Sequence, residues 1–286
     1  MIRNCLTRFI LVILPLYLLI NIFCTVAHPA TESANKTPDK PSDTLSEIKK
    51  RGEIRIGVSI FVPWTMKDKK GNLIGYEIDM ANRLAEDIGV KAKFVTVPFK
   101  EVIQGLRDDR FDIIMDGLYI TPQRALVINF SEPEAKSSVT LLALKKFKDS
   151  NSVEDFNKPG IKIGAVAGTV YADLAESKFP NAELQKFDEE GDMLTALTAE
   201  KIDAVVAINQ IVELTLKNNL EKLFMPLPVP IGKFGEGFAV RKGDPDFLNY
   251  MNTWIRYYRQ NGWLEQRRDY WFNNSEWEDL LLEQQD

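Results

Sequence analysis

The chain has 286 residues, enough for one large domain or two smaller ones, and its 45% hydrophobic and 27% charged content is that of an ordinary globular protein. A net charge of −5 excludes a basic field for nucleic acid. Both cysteines, Cys5 and Cys24, and the one histidine, His28, sit at the extreme N-terminus. The rest of the chain therefore has no disulfide, no thiol nucleophile, no zinc site and no Ser–His triad, and composition favours binding over catalysis with no metal or cofactor expected.

Residues 9–27 are apolar, follow Arg3 and Arg8, and end on the small-residue exit Thr25-Val-Ala27. This is the pattern of a secretory signal peptide over residues 1–27. Its removal takes the net charge to −7. The run is also long enough to stay as a membrane anchor, although Pro15 and Asn21 weaken that alternative. Residues 28–44 are polar and carry Pro29, Pro38 and Pro41, so they read as a flexible leader, with order beginning near Leu45.

Two regions then echo each other. The first opens with Gly52-Glu-Ile-Arg-Ile-Gly-Val58 and reaches Arg110-Phe-Asp-Ile-Ile-Met115. The second opens with Gly160-Ile-Lys-Ile-Gly-Ala-Val166 and reaches Lys201-Ile-Asp-Ala-Val-Val206. Each pairs a short β-rich strand with a second strand entered through basic–apolar–Asp. Helical patterns lie between: 77–88 in the first region, 170–178 and 192–199 in the second. Strands alternating with helices imply a mostly parallel sheet, and two such units imply two α/β lobes. Long β-type runs at 137–144 and 235–242 read as two crossings between the lobes. They predict lobe 1 over 45–140 and 236–286, and lobe 2 over 141–235. The tail predicts a helix over 246–260, stopped by Asn261-Gly262, and a second over 263–272, with Trp254, Trp263 and Trp271 in the core.

The stretch from Arg110 to Arg124, running on through Asn129-Phe-Ser-Glu-Pro133, carries the most chemistry. A short apolar strand leads into a loop with Gly117, Tyr119 and Thr121, and then a Thr-Pro helix start delivers Arg124. Guanidinium presents a planar fork that matches two carboxylate oxygens, and nearby hydroxyls and amides complete a cage. A lone Thr-x-x-Arg is more often a surface feature, so the surrounding motifs decide.

Together, Gly71-Asn-Leu-Ile-Gly-Tyr-Glu-Ile-Asp-Met80, Phe111-Asp112, Gly117-Leu-Tyr-Ile-Thr-Pro-Gln-Arg124, Phe130-Ser-Glu-Pro133, Ala167-Gly-Thr169, Asp203-Ala-Val-Val206, Gly262 and Trp271-Phe272 resemble the periplasmic solute-binding proteins, family 3, that serve polar amino-acid ABC importers. The resemblance spans about residues 45–273. It implies a type II periplasmic binding protein fold: two lobes, two crossing strands as a hinge, and closure over one small solute. It implies a monomeric, non-enzymatic protein that delivers a carboxylate-bearing solute to a membrane permease outside the cytoplasm. By the same resemblance, Arg124 would bind the ligand carboxylate and Gly117 would offer backbone contact. Tyr119 stands where a small hydroxyl residue is usual. Thr169 would add a hydroxyl at a helix N-terminus, and Phe61 and Trp64 would cover the ligand side chain. Core packing is the plain reading for both aromatics.

The departures are specific. Ile208 stands where the family supplies a carboxylate for the ligand ammonium, and Asn209 beside it joins the candidate ligand set. The acid common just after the first strand is missing from Gly57-Val-Ser-Ile-Phe61, and Glu134 replaces an aromatic. A buried ammonium without a carboxylate costs several kcal/mol. Either Asp116, Glu134 or Glu236 compensates, or the ligand is not a standard amino acid. Two other classes remain: a dehydratase-like enzyme, which would need a general acid near Ile208 and Ile211, and a sensor or auxiliary module.

Overall fold

In the computed structural model, residues 43–274 and 276–281 are described. The signal segment and all but the last residues of the leader lie outside them. Order is evident from Asp43, whose side chain accepts from the Ser46 amide and caps helix α1, Thr44–Arg51. Strand β1, Glu53–Val58, follows, then the hairpin β2, Met66–Lys67, and β3, Leu73–Ile74. Helix α2 spans Tyr76–Ile88 with its apolar face buried, and β4 spans Lys91–Thr96. Next come α3, Val102–Arg107, β5, Ile113–Ile114, α4, Pro122–Ala125, and β6, Asn129–Phe130.

These strands form a sheet in the order β4-β1-β5-β13-β6, where β13, Ala239–Val240, arrives from far along the chain. β1 runs parallel to β4 and β5, and β13 is antiparallel to both β5 and β6.

The second sheet begins with β7, Ala135–Leu144. After α5, Val153–Phe156, come β8, Lys162–Val166, α6, Val170–Lys178, β9, Glu183–Phe187, and α7, Glu190–Thr198. Then follow β10, Ala204–Ile208, α8, Asn209–Lys217, β11, Leu223–Phe224, and β12, Gly232–Glu236. The order is β11-β7-β10-β8-β9, with β12 paired to the first half of β7. β10, β8 and β9 are parallel, while β7 is antiparallel to its neighbours. β7 pairs within this sheet from Ala135 onward, and β12 as far as Glu236.

The echo between the two halves has a physical basis. In the first, the Asp112 amide donates to Arg55 O at 2.9 Å and its carboxylate accepts from the Arg55 amide at 2.8 Å. In the second, the Asp203 amide donates to Lys162 O at 2.8 Å and its carboxylate accepts from the Lys162 amide at 2.9 Å. Each Asp locks the entry of one parallel strand to its neighbour. Cations then neutralise it: Arg51 and Arg55 on Asp112, Lys146 on Asp203.

The run 235–242 is not one strand. The chain leaves the second sheet after Glu236 and enters the first at Ala239, with the Gly237 amide on Leu118 O and the Phe238 amide on Ser131 Oγ. Helix α9 spans Pro245–Gln260, capped by Asp244. The helix expected over 263–272 is α10, Trp263–Arg268, continued as a π-helical turn, Asp269–Asn273. Trp254 and Trp271 are buried and donate to Asp87 and Asp79 on or next to α2, which returns the tail to the first half. Trp263 is only partly buried against them. Among the described residues no helix is long and apolar enough to cross a membrane.

Candidate ligand-binding site

A cavity of about 210 Å³ opens between the two halves. On the first side it is lined by the loop after β1, Ser59 to Phe61, and by Thr96 to Phe99 after β4. On the second it is lined by Val166, Thr169 and Tyr171, where β8 passes into α6, and by Asp188 to Glu190, where β9 passes into α7. All these segments follow the C-terminal ends of parallel strands, the place where open α/β sheets bind ligands. The halves touch across it. Lys100 pairs with Asp188 at 2.8 Å, and the Tyr119 and Tyr171 rings meet edge to face at 5.7 Å.

Arg124 stands at this seam. Thr121 caps α4 and accepts from the Arg124 amide at 3.2 Å, which fixes the root of the side chain. Its guanidinium donates to Tyr119 O at 2.9 Å and across the cleft to Gly168 O at 3.3 Å, and lies 5.7 Å from the Phe99 ring centre. Burial lowers its pKa, and two donors of the fork are engaged by these carbonyls. Thr169 caps α6, accepting from the Ala172 amide and donating to Val166 O at 2.6 Å. It therefore borders the cavity at a helix N-terminus, although its hydroxyl proton is already engaged.

The other expected contacts are divided. Phe61 lines the cavity and stacks on Trp64 with centroids 4.6 Å apart. Trp64 is fully buried behind it and donates to Glu236 at 3.1 Å, so it supports Phe61 from the core. Gly117 also faces Trp64: its φ is +56° and a Cβ there would lie 2.8 Å from the indole nitrogen. Its amide donates to Glu77 at 2.7 Å. Tyr119 is buried, stacked on Phe234 at 5.0 Å. Asn209 opens α8 and donates to Glu213 at 2.6 Å. Trp64, Gly117, Tyr119 and Asn209 do not line this cavity, Arg124 adjoins it only through Gly168 and Phe99, and Ile208 is buried in the core.

The acids considered as substitutes for the missing ammonium partner are also elsewhere. Asp116 is tied to the Ser59 amide and hydroxyl, and burial raises its pKa to about 7 against the pull of Arg124. Glu77, Glu134 and Glu236 form a buried group behind Trp64. Tyr76 donates to Glu134 at 2.9 Å, while Ser137 and Trp64 donate to Glu236. Arg268 lies 3.8 Å from Glu236 and 4.6 Å from the Phe272 ring centre. Burial pushes Glu77 up to about 8 and raises Glu134 and Glu236, with mutual repulsion adding at Glu77 and Glu134.

Of the three acids on the cavity wall, Asp188 to Glu190, one is enclosed. Glu190, the first residue of α7, lines it, and its Oε1 is buried without a hydrogen-bond partner. Burial alone raises its pKa to about 8. In the sequence, Asp188-Glu189-Glu190 has the appearance of a solvated helix start, and only the placement of β9 beside β8 turns it inward.

Residues 54–274 match the bacterial extracellular solute-binding proteins, family 3. The chain belongs to this family. It is similar to the L-cystine-binding protein TcyJ of Escherichia coli K12, with 24% identity over 80% of this chain and 85% of that one. Among solved structures it resembles a putative ABC-transporter binding component from Wolinella succinogenes, complexed with lysine, at a TM-score of 0.76 and 32% identity. That match covers 80% of this chain and 99% of the other. It also resembles the ancestral amino acid-binding protein AncCDT-1, a precursor of cyclohexadienyl dehydratase, at 0.74 and 33%, over 81% and 100% of the chains. The two-lobed type II periplasmic binding protein fold expected from the sequence is the fold of these neighbours.

Proposed function

We propose that this family member binds a small amino acid or amino-acid-like solute by its carboxylate and presents it to the permease of an ABC importer. The observation that carries the reading is Arg124, a half-buried guanidinium that bonds Tyr119 O on one wall of the cleft and Gly168 O on the other, next to the Thr169 helix N-terminus. Phe61 and Phe99 supply apolar walls for the rest of the solute. The chain passes between the sheets at 131–135 and 236–239, and these crossings serve as the hinge, so lobe 2 is bounded by β7 and β12. The ligand stabilises the closed state by the contacts it makes to both walls. The signal-peptide pattern of residues 1–27 supports a location outside the cytoplasm, where the protein would act as a monomer without metal or cofactor. A thermal-shift and calorimetric survey of amino acids, with Arg124→Ala as control, tests this. Carboxylate ligands should bind wild type and fail on the variant.

Glu190 favours a second reading. A buried carboxyl that is protonated near neutral pH can give its proton to a leaving group, as an elimination requires. Turnover of a cyclohexadienyl carboxylic acid, read as growth of aromatic absorbance and lost in Glu190→Gln, would establish it. The binding reading is preferred because Ile208 and Ile211 are buried in the core and bring no acid to the wall where the enzyme class was expected to carry one.

A further inference from the structure

Two charges bear on the cleft from different elements: Arg124, hydrogen-bonded to Gly168 O and lying over the Phe99 ring, and Glu190, at the start of α7. Between the acidic stretch and the rest of the cavity the wall is apolar, with Phe61, Val97, Pro98 and Phe99 on one side and Val166 on the other. Beside Glu190, Asp188 is already paired with Lys100, and both Asp188 and Glu189 are exposed. Glu190 has no cation within ion-pair distance and no donor on its buried Oε1 among the described residues. Leaving a buried carboxyl unpaired is costly for the fold, so an unpaired one on a binding cavity is a candidate contact. It also occupies the first turn of a nine-residue helix, whose amide dipoles favour the ionised form once a counter-charge is present.

We infer that Glu190 is the residue that selects the ligand: the cleft takes a carboxylate at Arg124 and a positive group at Glu190, joined by an apolar stem held between Phe61 and Phe99. The inference rests on the carboxylate-anchored reading above. The cation recognised is the distal one of a basic amino acid, an ammonium or guanidinium. This accounts for the chain carrying Ile208 in place of an acid on β10. With no acid on β10 to meet the α-ammonium, discrimination comes from Glu190.

The distal cation can be separated from the α-ammonium with three probes of equal stem length. Lysine has both positive groups, 6-aminohexanoate keeps the distal one, and norleucine keeps only the α-ammonium. Ornithine and arginine extend the series in length. Calorimetry on the full secreted chain should show binding of at least one basic amino acid and of 6-aminohexanoate, with norleucine at least thirtyfold weaker. Glu190→Gln should weaken the basic ligands at least thirtyfold while leaving the melting temperature of the free protein unchanged or raised, since a buried unpaired acid is removed. Norleucine binding as tightly as lysine, or unchanged affinity in Glu190→Gln, overturns the inference while the Arg124 reading stands. Loss of neither ligand class in Arg124→Ala overturns the Arg124 reading instead. If none of the probes binds the wild type, both fall.

Discussion

Two sets of enclosed glutamates, one behind Trp64 and one on the cleft, are treated differently by the molecule. Behind Trp64, Glu77, Glu134 and Glu236 are held by Gly117, Tyr76, Ser137, Trp64 and Arg268. On the cleft, Glu190 is half-buried with its Oε1 enclosed, and among the described residues that atom has no partner. Burial raises the pKa of all four. The difference lies in who neutralises the charge. The first group takes hydrogen bonds and an ion pair from within, although Glu77 Oε2 and Glu134 Oε1 have no hydrogen-bond partner among the described residues, and it links α2, β12 and the C-terminal π-turn away from the cavity, so it is structural. The second is left for something from outside. Degree of burial alone does not mark a functional acid; burial on a cavity wall without an internal partner does.

The largest effect that sharpens this contrast is expected at the other pole of the cleft. Arg124→Ala removes the guanidinium proposed to meet the ligand carboxylate and should weaken binding by about 2–5 kcal/mol. Arg124→Lys should recover little, because an ammonium lacks the fork. Calorimetry reads both, and retention of wild-type affinity would show that the anion goes elsewhere.

Next in size is the structural acid group. Arg268→Ala strips its guanidinium and should destabilise the fold by roughly 2–4 kcal/mol at pH 8. The loss should shrink at pH 5, where the carboxyls hold their protons. Chemical denaturation at the two pH values checks this, and an equal loss at both would mean that Arg268 acts through packing on Phe272 and Tyr76 alone.

The same acids predict the pH dependence of the ligand-free protein. Their folded-state pKa values are raised above those of the unfolded chain, so the folded state holds more protons. Stability from this source is fully present below about pH 4.5 and is lost as pH rises through about 8, the value for Glu77 and Glu190. The melting temperature should therefore fall between pH 6 and pH 9, by the equivalent of a few kcal/mol at most. A rise over that range would show that the cluster is ionised and paired at neutral pH.

The smallest effect is expected at Asn209. Its amide is engaged by Glu213 on the same helix, so Asn209→Ala should change ligand affinity by less than about threefold, within the range of a surface change.

The sequence resolved the frame better than the site. Helices α2, α6 and α9 follow from periodicity and caps, and the Asp112 and Asp203 entries are visible as a repeated motif with a shared hydrogen-bond geometry. The break at Gly237 and Phe238 is hidden, because the alternation of a strand continues while the chain changes sheets. The switch to a π-turn at Asp269 is hidden too, since the apolar spacing of Trp271 and Phe272 suits either helix and the choice is made by Asp79 on α2. At the site, Arg124, Thr169 and Phe61 are brought to the cleft by local motifs that can be read in order. Trp64, Gly117 and Tyr119 belong to the layer behind it, a distinction set by which face of the loop turns inward. Glu190 carries no local signal, because an acidic helix start is the commonest of surface patterns.

The central claim is that a ligand cation meets Glu190, and proton counting tests it most directly. The free carboxyl, at about 8, is mostly protonated at pH 7, and pairing with a cation must drive the proton off. Asp116 near Arg124 also titrates close to neutrality, and Tyr171, Asp188 and Glu189 face the same space, so the quantity to measure is the difference between wild type and Glu190→Gln. Calorimetry with lysine or arginine at pH 7, in buffers of different ionisation enthalpy, should show wild type releasing on the order of one proton more than the variant. Equal proton counts in the two proteins, with a basic ligand bound to both, would contradict the account.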